Sequence, residues 1–477
     1  SIKVMINRVL IRTKVVQMLF CYFLNRNEFH LITAPESTSR DKQYAYNMYL
    51  DLLLMVLRLS GYRTGVASVT FQNKFLAENR IGKALKNDPA VKDAIYRRIQ
   101  SASQFDTATD AIYRAILASA IYRSYTHRKD KNVAGDIEFW DVVIDSIIAK
   151  SPELLEAARK DENFSNVGYE NALKMLRETL DSCGSYRKLL IEARHSLQTS
   201  LDKSYELYLR LLSLPVELVR LQDRRLDNAK NKFLATSEDL NPNMKFVDNK
   251  LTAILESNEE FNELCSEKKV SWSEDPDFLM TILDKIVGSE LYAEYMSSES
   301  STLKDDCEFW RQVMKHIILP SDELAEYLES KSVYWNDDSD IIGTFVVKTL
   351  KKAADACENN INASFVLPQF KDEEDSRFGE ELFTDTIDNF DTYRGYVDKF
   401  INSSQWDPER LAFMDVIIMC TAISELLNYP AIPIAVTLNE YIEIANSYST
   451  PRSGQFINGI LYSVISHLQE EGKLLKK

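Results

Sequence analysis

The residue types that could do chemistry are sparse and badly spaced for it. Six cysteines stand at 21, 183, 265, 307, 357 and 420, the nearest two 42 positions apart. No Cys-x-x-Cys occurs, which excludes zinc ribbons and thioredoxin-type redox chemistry. The histidines (30, 127, 195, 316 and 467) are never followed by Glu, so no His-Glu-x-x-His zinc site exists. There is no Gly-x-Gly, no phosphate-binding loop (Gly82-Lys83 runs into Ala84) and no Gly-x-Ser-x-Gly elbow. The nearest approach to a cation loop is Asp338-Ser-Asp340-Ile-Ile342-Gly343, which fails at position five (Ile342, no oxygen) and at position twelve (Thr349, no carboxylate) and is expected to be a solvated turn. Catalysis, metal binding and cofactor binding are not expected. What remains is charge: Lys3, Arg8, Arg12, Lys14 and Arg26 precede the first acid, Glu28. A basic front of this kind suits a polyanion.

The elements that must carry these cations are helical. Only 13 Gly and 12 Pro occur in 477 residues, leaving little room for a many-stranded fold. Ile6, Leu10, Thr13, Gln17, Phe20 and Leu24 recur at helical spacing. Arg8, Arg12 and Arg26 then fall on one stripe away from Leu10 and Gln17, with Lys14 about 200° round from Arg12. Asp136 is expected to cap the helix of Glu138-Phe-Trp140. Thr437, with Glu440 three residues on, reads as a capping box after Pro430 and Pro433. The basic residues of Ser1–Phe20 lie among its apolar ones, unlike a signal peptide, and Leu50–Leu59 is interrupted by Asp51 and Arg58. A soluble, cytoplasmic, all-α protein with no membrane partner is expected.

Net charge is −15, yet residues 1–200 carry 29 Lys+Arg against 22 Asp+Glu (+7) and residues 201–477 carry 28 against 50 (−22). The division follows an internal repeat. Ser119–Tyr125 resembles Ser289–Tyr295, Glu138-Phe-Trp140 matches Glu308-Phe-Trp310, and Ile147-Ile148 matches Ile317-Ile318, all at an offset of 170. Asn73-Lys-Phe-Leu-Ala77 recurs as Asn231-Lys-Phe-Leu-Ala235 and Asp41-Lys-Gln-Tyr44 as Asp202-Lys-Ser-Tyr205, at offsets of 158 and 161. The expected organisation is an N-terminal helical segment (1–37), a basic first repeat copy (38–198), an acidic second copy (199–365) and a C-terminal helical domain (366–477).

The two ends carry a resemblance. Val436-Thr-Leu-Asn-Glu-Tyr-Ile-Glu-Ile-Ala445 and Ser453-Gly-Gln-Phe-Ile-Asn-Gly459, after the apolar helix ending Glu425-Leu-Leu427 and a Pro-containing loop, resemble the C-terminal half of the transcription antitermination factor NusB family. Ile6–Phe20 resembles that family's first helix. The chain looks like one of the enlarged NusB proteins of Bacteroidetes-type bacteria with its middle region duplicated: a NusB-like helical bundle elaborated by two tandem helical modules. The resemblance implies a non-enzymatic factor that pairs with ribosomal protein NusE, binds boxA-like single-stranded RNA and joins the RNA polymerase elongation complex with other Nus factors. Self-association as a homodimer is a further possibility of such a surface. On this reading Arg8 and Arg12 contact RNA, with Lys3, Lys14, Arg26, Arg452 and Gln455 around them. Phe456, Asn458 and Glu440 serve the partner surface or the fold, with Phe456 in the core and Asn458-Gly459 closing a turn. Two positions depart from the family: Arg452 replaces an acid and Gln455 a base. A different reading is a non-catalytic helical scaffold that docks transcription or ribosome-assembly proteins.

Overall fold

The computed structural model describes residues 6–66, 69–129, 132–335, 337–403 and 411–476. Among them every regular element is helical and none is a strand. Many of the helices begin on side-chain caps: Asn79, Asp88, Ser119, Asn132, Ser151 and Ser165 in the first half, Asn249, Asn258, Ser289, Thr302 and Ser321 in the second. Each cap satisfies an orphan N–H at the helix start, a contribution of about 1 kcal/mol. No described helix is long and apolar enough to cross a membrane. The chain divides into two compact units, Leu24–Glu192 and a larger one made of Ser1–Phe23 with Ala193–Lys477.

The smaller unit is built on helix Arg40–Leu59, which packs on helix Asn166–Asp181. The charges inside its apolar run are paired: Arg98 grips Asp51 with two hydrogen bonds of 2.8 and 2.6 Å, and Arg58 meets Asp106. At its centre Asn79 caps one helix, donates to the Tyr125 hydroxyl at 2.9 Å and accepts from Trp140 Nε1 at 3.1 Å. Tyr125 donates in turn to Asp136 at 3.0 Å, and Asp136 also accepts the Arg80 N–H at 2.9 Å. Asp136 is therefore no helix cap. Asn132 takes that place, and the buried Asp136 ties two helix starts together.

The larger unit repeats the Asn–Tyr–Asp part of this network 170 residues later, without the tryptophan link, since Trp310 Nε1 finds no partner among the described residues. Asn249 caps its helix and donates to Tyr295 at 3.1 Å; Tyr295 donates to Asp306 at 2.8 Å; Asp306 accepts the Lys250 N–H at 2.7 Å. Tyr125 stacks on Phe139 with ring centroids 4.2 Å apart, and Tyr295 on Phe309 at 4.0 Å. Each segment then passes through a five-residue π-helical turn, Ile144–Ile148 and Met314–Ile318, into a Ser-capped helix. One pairing read from the sequence is corrected. Asn73 holds the Leu76 N–H at 3.0 Å, and its counterpart is Asn243, which holds Lys245 N–H at 3.1 Å, with Phe246 buried where Leu76 is. The pentapeptide Asn231–Ala235 is not that counterpart; it stands on the surface.

In the same unit helix Phe413–Asn428 is buried from Asp415 to Leu426 and packs against helices Glu373–Asp388, Phe390–Ser403, Ile434–Tyr448 and Ser453–Glu470. Pro433 is the residue before the next helix, so Thr437 lies one turn inside rather than at a cap. Its hydroxyl points inward instead, to Glu425.

Candidate functional site

The first helix, Arg8–Asn25, is buried without interruption from Leu10 to Val16. An exposed arginine stripe is consequently absent. Arg12 Nε and Nη2 donate to Glu425 at 2.7 and 3.0 Å, and both side chains are almost wholly enclosed. Glu425 also accepts from Thr437 Oγ1 at 2.8 Å and the Tyr441 hydroxyl at 2.9 Å. Burial alone would lower the Arg12 pKa, but the hydrogen bonds and charge of Glu425 hold it above the ordinary arginine value. Burial, then the Glu425 charge, pushes the Tyr441 phenol well up, so it stays protonated and donating. Arg12 therefore joins the first helix to the central and following helices, and its charge is fully engaged inside the protein.

Lys14 is equally enclosed. Its Nζ lies 2.9 Å from both carboxylate oxygens of Asp338, which also accepts Ser204 Oγ at 2.6 Å. Asp338 is thus a buried partner and not part of a solvated turn. Arg8 is the most accessible of the three: Nε meets Asp375 at 2.7 Å and Nη2 meets Glu374 at 3.1 Å, with the guanidinium 4.8 Å from the Phe378 ring centre. Arg26 belongs to the smaller unit, exposed over the Tyr186 ring at 4.7 Å. Lys3 lies outside the described residues.

The accessible polar surface is at the start of the last helix. Asp415, buried inside the central helix, accepts Ser449 Oγ at 2.5 Å and Ser453 Oγ at 3.0 Å, which fixes the turn 449–453. That turn delivers Arg452 and Gln455 to the solvent, with Asn458 beyond them. Asn458 and Gly459 do not close a turn; both are inside helix Ser453–Glu470. Phe456 is half-buried, not a core residue, and Glu440 is half-buried on the preceding helix. A Cβ on Gly459 would meet nothing within 4 Å. Glycine there is unrequired by packing and weakens the helix, so Gly459→Ala is expected to raise stability by about 0.5–1 kcal/mol, read as a higher denaturant midpoint. A fall in partner binding by the same variant would mark a close backbone approach at this face.

Residues 345–466 match the NusB family model. The transcription antitermination protein NusB of Salinibacter ruber is 32% identical over 134 residues, 28% of this chain and 82% of that protein. The chain belongs to the NusB family. Its counterpart from Natranaerobius thermophilus is 33% identical over 115 residues (24% of this chain, 81% of that protein), and that of Koribacter versatilis 42% over 79 residues (16% and 54%). No solved structure matches the chain. The NusB match begins within helix Ser339–Ala356 and ends within the last helix. Glu425, Asp415 and the surface from Arg452 to Gly459 fall inside it; Asp338 and the recurring network fall outside. NusB is a non-catalytic family, in keeping with the missing catalytic motifs.

Sequence reading missed Glu425 and Asp415. Their signal was present: a carboxylate within the apolar run Phe413–Leu427 must be paired if that run is buried.

Proposed function

We propose that this chain acts in transcription antitermination, binding boxA-like single-stranded RNA together with ribosomal protein NusE and joining the RNA polymerase elongation complex. The observation that carries the reading is its alignment with most of the length of a NusB protein. Single-stranded RNA needs cations for phosphates and exposed polar or aromatic groups for bases. Arg452 and Gln455 supply accessible groups of that kind at the head of the last helix, and Arg8 supplies a partly exposed guanidinium. Phe456, Asn458 and Glu440 are the residues we assign to the NusE side.

A scaffold that docks other proteins without RNA is the second reading, favoured by the burial of Arg12 and Lys14. Titration of fluorescent boxA RNA and a scrambled control, with and without NusE at two salt concentrations, separates the two. Antitermination predicts preference for boxA, improvement by NusE, and an affinity falling by a log–log slope of about 0.7 per neutralised phosphate. Equal weak binding to both RNAs would transfer the function to scaffolding.

A further inference from the structure

The most exposed aromatic residue among those described, Phe233, lies outside the family match. Helix Tyr186–Lys230 has its last buried residue at Val219, and from Arg220 onward it forms the flank of the larger unit. Its sides are anchored by Arg220 to Glu256 (2.6 Å) and Arg225 to Asp284 (2.7 Å). Just past its end Phe233 is 100% exposed and Leu234 84%. Residues 219–236 contain five Lys/Arg and two Asp, a net +3 within a half of the chain that carries −22. Arg224 and Lys232 are exposed and, among the described residues, form no ion pair. Beside the helix lies a cleft of about 480 Å³ that Arg220, Arg224, Asn262, Ser273 and Met280 line over a floor containing Trp272. Burial pushes the Cys265 thiol in that cleft up to about 12, so it offers no thiolate chemistry.

We propose that this tip is a second single-stranded RNA contact: phosphates on Arg224 and Lys232, one base stacked on Phe233, and a neighbouring base in the cleft. The inference rests on the RNA-binding function proposed above and extends it to RNA outside the boxA stretch. Cations beside an exposed ring form the sequence-tolerant platform that single strands use. Charge favours this class of partner: Lys232 also interacts with the Asp239 carboxylate, but exposed cations on a strongly acidic chain attract a polyanion. Two apolar side chains are also far short of the area, about 800 Å² per partner, that a stable protein interface buries.

The test uses the full chain with Arg224→Glu, Lys232→Glu and Phe233→Ala combined, and Phe233→Ala alone. Binding to boxA RNA extended by unrelated nucleotides, to boxA alone and to oligouridine is read by fluorescence anisotropy at two salt concentrations. The triple variant should bind the extended RNA and oligouridine about tenfold more weakly, with the salt slope reduced by about 1.4 and unchanged melting. Phe233→Ala alone should lose ultraviolet crosslinking within 219–236 while keeping its fold. If wild type prefers boxA and both variants equal it on every RNA, the tip assignment is wrong and the antitermination reading stands. If wild type binds none of these RNAs, both fall. Unchanged RNA affinity with loss of a ribonuclease-resistant protein partner would make the tip a protein dock and overturn the proposal.

Discussion

Replacing Glu425 by alanine is expected to lower stability by about 3–5 kcal/mol, among the largest effects of any single substitution in this chain. The carboxylate is fully buried and receives four hydrogen bonds from three side chains. Its removal takes both carboxylate hydrogen bonds from the enclosed Arg12 guanidinium, leaving only the weaker charge interaction with Glu440, and leaves two hydroxyls unsatisfied as well. A charge left alone in the interior costs far more than the pair contributes when intact, because desolvation is no longer offset. The paired replacement Arg12→Met with Glu425→Leu should therefore recover much of the loss, giving a strong coupling in a double-mutant cycle. Urea denaturation checks both. A loss below about 1 kcal/mol in Glu425→Ala would mean that the ion pair is not enclosed as described. The same logic governs RNA experiments: Arg12→Ala should weaken boxA binding only in step with a lowered melting temperature.

How far the site could be read from sequence depends on what periodicity can register. Spacing placed Arg8, Arg12 and Lys14 correctly on a helix but said nothing of what surrounds them. Periodic patterns report a helix's own faces, whereas the partner of Arg12 lies 413 residues away and that of Lys14 lies 324 away. A charged residue on an otherwise apolar helix is solvent-facing only when nothing packs on that face. Here the segment around Asp338, absent from the family match, supplies one of the covering groups. The Thr437 capping box failed for a related reason: the preceding proline set the helix start one turn earlier, and burial gave the hydroxyl a carboxylate to bond.

The recurrence was more legible. Tyr125 and Tyr295 stand in blocks matched at an offset of 170, whereas their hydrogen-bond partners Asn79 and Asn249, at the same offset, were not read from the sequence. Short identical peptides proved a weaker guide. Asn231–Ala235 copies the letters of Asn73–Ala77, yet Leu76 is buried and Leu234 is 84% exposed. Environment, rather than identity over five residues, determines which segments correspond.

The second large effect is expected at Asp338. Alanine there would leave the Lys14 ammonium enclosed, without either of its two 2.9 Å contacts, and free the Ser204 hydroxyl that also points at the carboxylate. A loss of about 3–5 kcal/mol follows from the same desolvation argument. Lys14→Met should cost less, because Asp338 would keep the Ser204 hydrogen bond, and Lys14→Met with Asp338→Leu should restore part of the stability. Hydrogen exchange gives this pair a signature that Glu425 lacks. Loss of the tie should speed exchange in the first helix and at the start of helix Ser339–Ala356 ahead of the central helix Phe413–Asn428, which its own packing protects. Asp338→Asn keeps the shape and an acceptor for Ser204, and boxA affinity is expected to stay at the wild-type value in that variant. If affinity rose several-fold instead, Lys14 would be a phosphate contact that Asp338 withholds, and the middle segment would act on RNA binding through the first helix.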